Sequence, residues 1–263
     1  MNEEIDRSEI DASKAPLLDH LIELRGRLLR SFVYFLIAFG LAFSQADKVF
    51  DFLVQPLVEA SGNGARLIYT KLYDAFLVEI RVAAFAAICI AFPFIANELW
   101  RFVAPGLYRR EQKALLPFLL ATPILFTCGA AMAYYMVMPA AFRFFLGFQQ
   151  DGGAGGIDRE ALPAMGEYLD LVMSLILAFG IAFLLPVLLM LLERAGIVSR
   201  KNLIAGRRYA VVGSFVVAAV LTPPDLWSQL ALAIPLILLY ELSIIAIWFT
   251  ERRRAKVEAA TSA

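Results

Sequence analysis

Histidine occurs once in this chain, at His20, and cysteine only twice, at Cys89 and Cys128. So few ligands leave no basis for a metal centre. Both cysteines lie inside apolar runs, where they read as packing residues rather than a disulfide framework. No Gly-x-Ser-x-Gly elbow is present, and His20 lies outside the apolar runs, so a Ser–His dyad at membrane depth is unsupported. The glycine-rich DGGAGG at 151–156 lacks the following Lys-Ser/Thr of a phosphate loop and reads as a flexible connection. Neither enzymatic activity nor a cofactor is expected. Charge is scarce too: 18% of residues are Asp, Glu, Lys or Arg, against roughly 25% in soluble proteins. The net charge is zero, which gives no bulk attraction to nucleic acid.

Apolar surface takes the place of what is missing. Hydrophobic residues make up 60% of the chain, and mean hydropathy is +0.70. Such a surplus has to face lipid. A hydrocarbon core of ~30 Å takes about 20 helical residues, and six runs qualify as spans, at 28–43, 75–96, 115–138, 168–192, 209–221 and 226–249. The fifth is the shortest and reaches only ~20 Å, so it spans where the bilayer thins around it. The reading is an all-α, polytopic membrane protein forming a single integral domain over 1–263.

Loop charge orients the spans. Lys and Arg concentrate in 1–30, 97–114, 193–209 and 250–263, and the rest of the chain holds only Lys48, Arg66, Lys71, Arg81, Arg143 and Arg159. The positive-inside rule places both termini in the cytoplasm, in agreement with an even number of spans. The N-terminus opens with Glu3, Glu4 and Asp6 and shows no cleavage site after its first apolar run. It therefore does not read as a secretory signal, nor as an Arg-rich transit peptide. A bacterial or archaeal cytoplasmic membrane fits best. On the outer side, Val49, Phe52, Leu53, Pro56 and Leu57 are spaced as an amphipathic helix lying along the membrane over 47–59, bent or ended by Pro56.

Charged residues at the two faces need an account. Over 20–28 (HLIELRGRL), His20, Glu23, Arg27 and Arg30 share one helical face, and Leu17, Leu21, Leu24 and Leu28 the other. Glu23 and Arg27 make an i,i+4 pair, which by itself is a surface salt bridge worth a few tenths of a kcal/mol. Glu111, at the start of the third span, sits where a helix dipole favours a carboxylate. Together, however, these segments put two carboxylates at one interface, where a ligand bearing guanidinium groups would find bidentate acceptors. In the last connection, LTPPDLWSQ (221–229), Asp225 can cap the sixth helix. Glu241 lies about two-thirds along the sixth span, where a carboxylate marks either a functional site or an ion pair with another helix.

HLIELRGRL (20–28), LWRFVAPGLYRRE (99–111), AFGIAFLLPV (178–187), RRYAVVGSFVV (207–217) and LTPPDLWSQ (221–229) resemble the TatC family, the signal-peptide receptors of twin-arginine protein translocases. The likeness covers nearly the whole chain. It implies that Glu23 and Glu111 accept the paired arginines of a folded cargo's signal peptide on the cytoplasmic face. Arg25, Phe102, Pro105, Leu107 and Tyr108 would shape the surrounding surface. Pro56 matches a structural proline on the outer side. Thr222, Asp225, Gln229 and Glu241 match polar positions associated with single-span partners of the TatA/TatB type, within a homo- and hetero-oligomeric complex. The resemblance also implies proton-motive force as the driving energy, since the chain carries no Walker-type site. One position departs: where the family often has Glu or Gln before the proline of the fourth span, this chain has Leu184. A secondary transporter for a small solute is the alternative. It would need polar groups converging at the midplane, but spans one, three and four hold almost none, and no internal repeat is evident.

The charge distribution generates a topology test. In a cysteine-free background in intact cells, an impermeant thiol reagent should label cysteines placed at 151–160 and spare those at Lys14, Lys113, Lys201 and Lys256. Outside labelling at 201 or 256 would reverse the arrangement.

Overall fold

The computed structural model describes residues 2–61, 66–69, 71–103, 116–149, 162–194, 196–222 and 226–261. Its helices run in the order α1 (Asn2–Phe43), α2 (Ala46–Ser61), α3 (Asp74–Val103), α4 (Leu116–Met132), α5 (Met138–Leu146), α6 (Met165–Ala182), α7 (Leu185–Arg194), α8 (Arg200–Ala205), α9 (Arg207–Leu221) and α10 (Leu226–Thr261). A π turn over Ala133–Val137 joins α4 to α5. Five stretches are long and apolar enough to cross a membrane: Leu21–Phe43, Asp74–Phe102, Phe118–Leu146, Met165–Arg194 and Leu226–Arg252. The remaining expected span is α9, whose 15 residues reach about 22 Å at ~1.5 Å each. The chain is an all-helical, multi-pass membrane protein, and its outside bears that out: Leu29, Phe32, Val33, Leu36 and Ile37 of α1 all stand exposed, a surface only lipid tolerates.

The register of the bundle begins with α1 and α3. They lie antiparallel, with Ala38 packed against Ala87 and Ala91, and Ala42 against Ala83 and Ala86. Small side chains let two backbones approach closely where no hydrophobic effect drives helices together. A second close approach joins α4 to α6. A methyl group added at Gly129 would run into the main-chain carbonyl of Phe179, and one at Gly180 would come within 2.6 Å of the Phe126 ring.

Two prolines shape their helices in different ways, and at Pro56 the freed carbonyl finds a donor. Pro56 neither ends nor breaks α2, which continues to Ser61. A proline removes the N–H owed to the carbonyl four residues back, here that of Phe52. The Tyr134 hydroxyl replaces it, donating to the Phe52 carbonyl at 2.6 Å, while the Tyr168 hydroxyl donates to the Leu53 carbonyl at 2.9 Å. The Phe52 and Tyr134 rings stack at 4.3 Å between centroids. With Leu53, Pro56 and Leu57 buried, α2 is packed into the bundle against α3 and α5. The fourth span, read from sequence as one run over 168–192, is two helices. Pro186 denies a donor to the last turn of α6: Phe183 N–H still makes the helical bond to the Phe179 carbonyl, and the turn then tightens as Leu184 N–H bonds the Ile181 carbonyl, both at 3.0 Å. The chain then restarts as α7.

The third span extends to Leu146 rather than ending near 138, because α5 buries Met138, Ala141 and Phe142, the last against Tyr168. Nearby, Arg81 of α3 pairs with Asp170 of α6, its Nη1 donating to both carboxylate oxygens at 2.9 and 3.1 Å, with both side chains half-exposed.

The Tyr134 bond generates a stability prediction. Tyr134→Phe strands the Phe52 carbonyl and should cost about 1–2 kcal/mol. In Pro56→Ala, a restored N–H serves that carbonyl, so the same Tyr134→Phe change should cost much less. Thermal unfolding of the four proteins in detergent measures the coupling. Equal losses in both backgrounds would show that the hydroxyl does not stand in for the missing amide.

Candidate functional site

At the basic end of the α1–α3 pair, four charged side chains meet. Arg27 donates through Nε (3.0 Å) and Nη2 to Glu23 Oε1, one turn earlier on α1. Its Nη1 lies 3.5 Å from both the carboxylate Oε2 and the main-chain carbonyl of Glu98 on α3. Arg30, one turn later on α1, donates to the same Oε2 through Nη2 at 3.0 Å and Nε at 3.2 Å. The antiparallel alanine register brings these residues level. Glu98 and Arg27 are largely buried, with side chains 8% and 15% exposed, whereas Glu23 is at 37% and Arg30 at 53%. The cluster thus grades from a desolvated carboxylate to one open to ligand, and its four formal charges cancel. A cation against the last turns of α3 is also favoured by that helix's dipole.

Of the expected acceptor residues, Glu23 sits in this cluster. Arg25, two residues further along α1, is exposed, and Phe102 is half-buried near the end of α3. Pro105, Leu107, Tyr108 and Glu111 lie outside the described residues, as does Asp225. Glu98 is the member the sequence reading missed. Its partners are 71 and 68 residues away, so no local spacing reveals them. A signal did exist: a carboxylate flanked by apolar Ile95, Ala96 and Leu99 close to the end of a span.

On the opposite flank of α3, Leu99 and Trp100 line a cavity of about 610 Å³ bounded also by α4, the end of α6, α7, α9 and α10. Its polar side chains are already committed. Trp100 Nε1 donates to Thr122 Oγ1 at 2.9 Å, Thr122 to the Phe118 carbonyl, Ser214 to the Ala210 carbonyl and Tyr240 to the Leu203 carbonyl. Leu184, the position that departs from the TatC pattern, is part of the wall. The cavity offers contact to apolar groups and little else.

The residues expected to meet partner subunits are distributed unevenly. Thr222 is buried and donates to the Ala218 carbonyl at 2.8 Å, while Gln229 reaches inward to the Phe215 carbonyl at 3.5 Å. Glu241 pairs with Arg207 at 2.8 Å across α9 and α10. Because α9 is short, its first residue meets α10 at this level, which gives a carboxylate two-thirds along the sixth span its cation. On α9, Ser214 and Ala218 are buried, and Val212, Val216, Ala219 and Val220 face outward.

Comparison with known proteins places these features in context. The family model described as Sec-independent protein translocase protein (TatC) matches residues 19–235. A TatC of Magnetococcus marinus is 50% identical over 250 residues, covering 95% of this chain and 90% of its own length. One of Rickettsia prowazekii is 46% identical over 237 residues, covering 90% of this chain and 94% of its own. The crystal structure of a twin arginine translocase receptor, TatC in DDM, matches with a TM-score of 0.74 at 38% identity, over 86% of this chain and 98% of that one.

Proposed function

Because the chain belongs to the TatC family of Sec-independent protein translocase proteins, we propose that it is the receptor subunit of a twin-arginine translocase, binding twin-arginine signal peptides through Glu23 and Glu111. The observation that carries this is the Arg27 guanidinium on Glu23: a carboxylate still open to solvent already accepts the group a signal peptide would bring. Charge-assisted bonds of this kind strengthen where water is partly excluded. The apolar segment that follows the arginines in such a peptide matches the unpolar cavity across α3. The basic end of the bundle, with both termini, faces the cytoplasm, and the chain resides in the cytoplasmic membrane, as its loop charges imply.

Single-span partner subunits of the TatA/TatB type dock along α9 and α10. With Thr222 and Gln229 turned inward, the contact rests on the exposed Val212–Val216–Val220 face, packing by van der Waals contact as membrane helices do. Photocrosslinkers at Val216 or Ala219 are expected to capture such a subunit. Capture solely from α1 would remove the site from α9.

The receptor site is tested by affinity for a twin-arginine signal peptide and its twin-lysine version. Glu23→Ala or Glu111→Ala should weaken twin-arginine binding by about 5- to 150-fold, the equivalent of ~1–3 kcal/mol, with insertion intact. Glu23→Lys should be worse than Glu23→Ala, because it opposes the ligand with like charge. Unchanged discrimination between the two peptides in both alanine variants would overturn the site.

A further inference from the structure

We propose that Glu98 is a second seat for Arg27, and that a ligand guanidinium gains Glu23 by moving Arg27 onto Glu98. This rests on the reading of Glu23 as an arginine acceptor. In the structure Glu23 is occupied, with two donors of Arg27 on its Oε1. An incoming arginine that takes Oε1 with the same fork must therefore replace one guanidinium with another. Were Arg27 simply expelled, a largely buried cation would be left without a counter-charge, a severe penalty. The geometry removes it. Arg27 Nη1 already stands 3.5 Å from Glu98 Oε2 and from the Glu98 carbonyl, so a side-chain rotation completes the transfer with no movement of the helices.

The third member accommodates the shift. Arg30 now holds Glu98 Oε2 at 3.0 Å, but it is the most exposed of the four and can turn its charge to water when Arg27 arrives. Binding then displaces each arginine by one place: ligand to Glu23, Arg27 to Glu98, Arg30 to solvent. Glu98 never touches the ligand and acts as a positioning residue. A guanidinium suits the vacated place on Glu23 because Arg27 occupied it with Nε and Nη2 together, and a single ammonium cannot present that fork.

The test uses the full-length chain in nanodiscs with the twin-arginine and twin-lysine peptides. Glu98→Gln abolishes the second seat and holds Arg27 on Glu23, so twin-arginine affinity should fall on the order of tenfold, the equivalent of one charge-assisted bond. Arg27→Gln vacates Glu23 and should raise affinity. In the Arg27→Gln background, Glu98→Gln should have no further effect, because no arginine needs relocating. A merely structural Glu98 predicts the same loss in both backgrounds, and that result, or no loss in either, overturns the proposal. Should Glu98→Gln not insert, Glu98→Asp, which keeps the charge but withdraws it, runs the same comparison. Glu23→Gln separates the two readings. If it leaves the preference for arginine over lysine intact, the receptor site itself is wrong. If it abolishes that preference while Glu98→Gln and Arg27→Gln are silent, only the exchange is wrong.

Discussion

The alanine seam between α1 and α3 sets the register from which the rest of the basic end follows. In lipid, two helices gain nothing by hiding apolar surface from one another, so close backbone approach has to supply the attraction. Ala38 and Ala42 on one side, with Ala83, Ala87 and Ala91 on the other, permit it. Once those residues are level, Arg27 and Arg30 cannot avoid Glu98. A shift of one residue along α3 would turn the carboxylate by about 100°, away from both arginines. Helix packing and the placement of charge thus restrain each other, and the site inherits its geometry from side chains that take no part in binding.

The same economy governs the backbone. Where no water can serve a carbonyl, a proline inside a helix is best tolerated when another donor stands ready. Tyr134 performs this service for α2; at the end of α6 the turn instead tightens and the chain restarts as α7. The outcome differs in kind. One proline leaves a continuous helix cross-linked to a distant tyrosine; the other divides a span and fixes Leu184 in the wall of the apolar cavity.

Hydropathy made the spans legible, because apolar length is a property of contiguous residues. The short fifth helix was legible for the same reason, as was the Glu23–Arg27 pair, which needs only one turn of helix. What escaped was whatever depends on contact between distant segments. Glu98 reads as an unremarkable polar residue until α1 is laid beside α3. The division at Leu184 is invisible to hydropathy, which is equally high on both sides. Pro56 was read as bending or ending its helix because sequence shows the donor a proline lacks and cannot show the hydroxyl that replaces it. Glu241 was left between a functional site and an ion pair with another helix, and the cation it meets is fixed by the length of α9 rather than by any motif.

The Arg81–Asp170 bridge bears on how the chain is made. Each residue sits near the start of a long apolar helix, Arg81 on α3 and Asp170 on α6, and each alone burdens insertion, by up to about 2.5–3.5 kcal/mol at the centre of a bilayer and less toward its edge. During synthesis α3 emerges first and carries its arginine unmatched until α6 follows. Lateral release of α3 into lipid is then more favourable after α6 has been threaded, when the two opposite charges can leave the insertion machinery as a neutral pair. The bridge thereby favours joint partitioning of the middle of the protein over release helix by helix, and it biases biogenesis toward the partnership between α3 and α6 that the finished bundle retains.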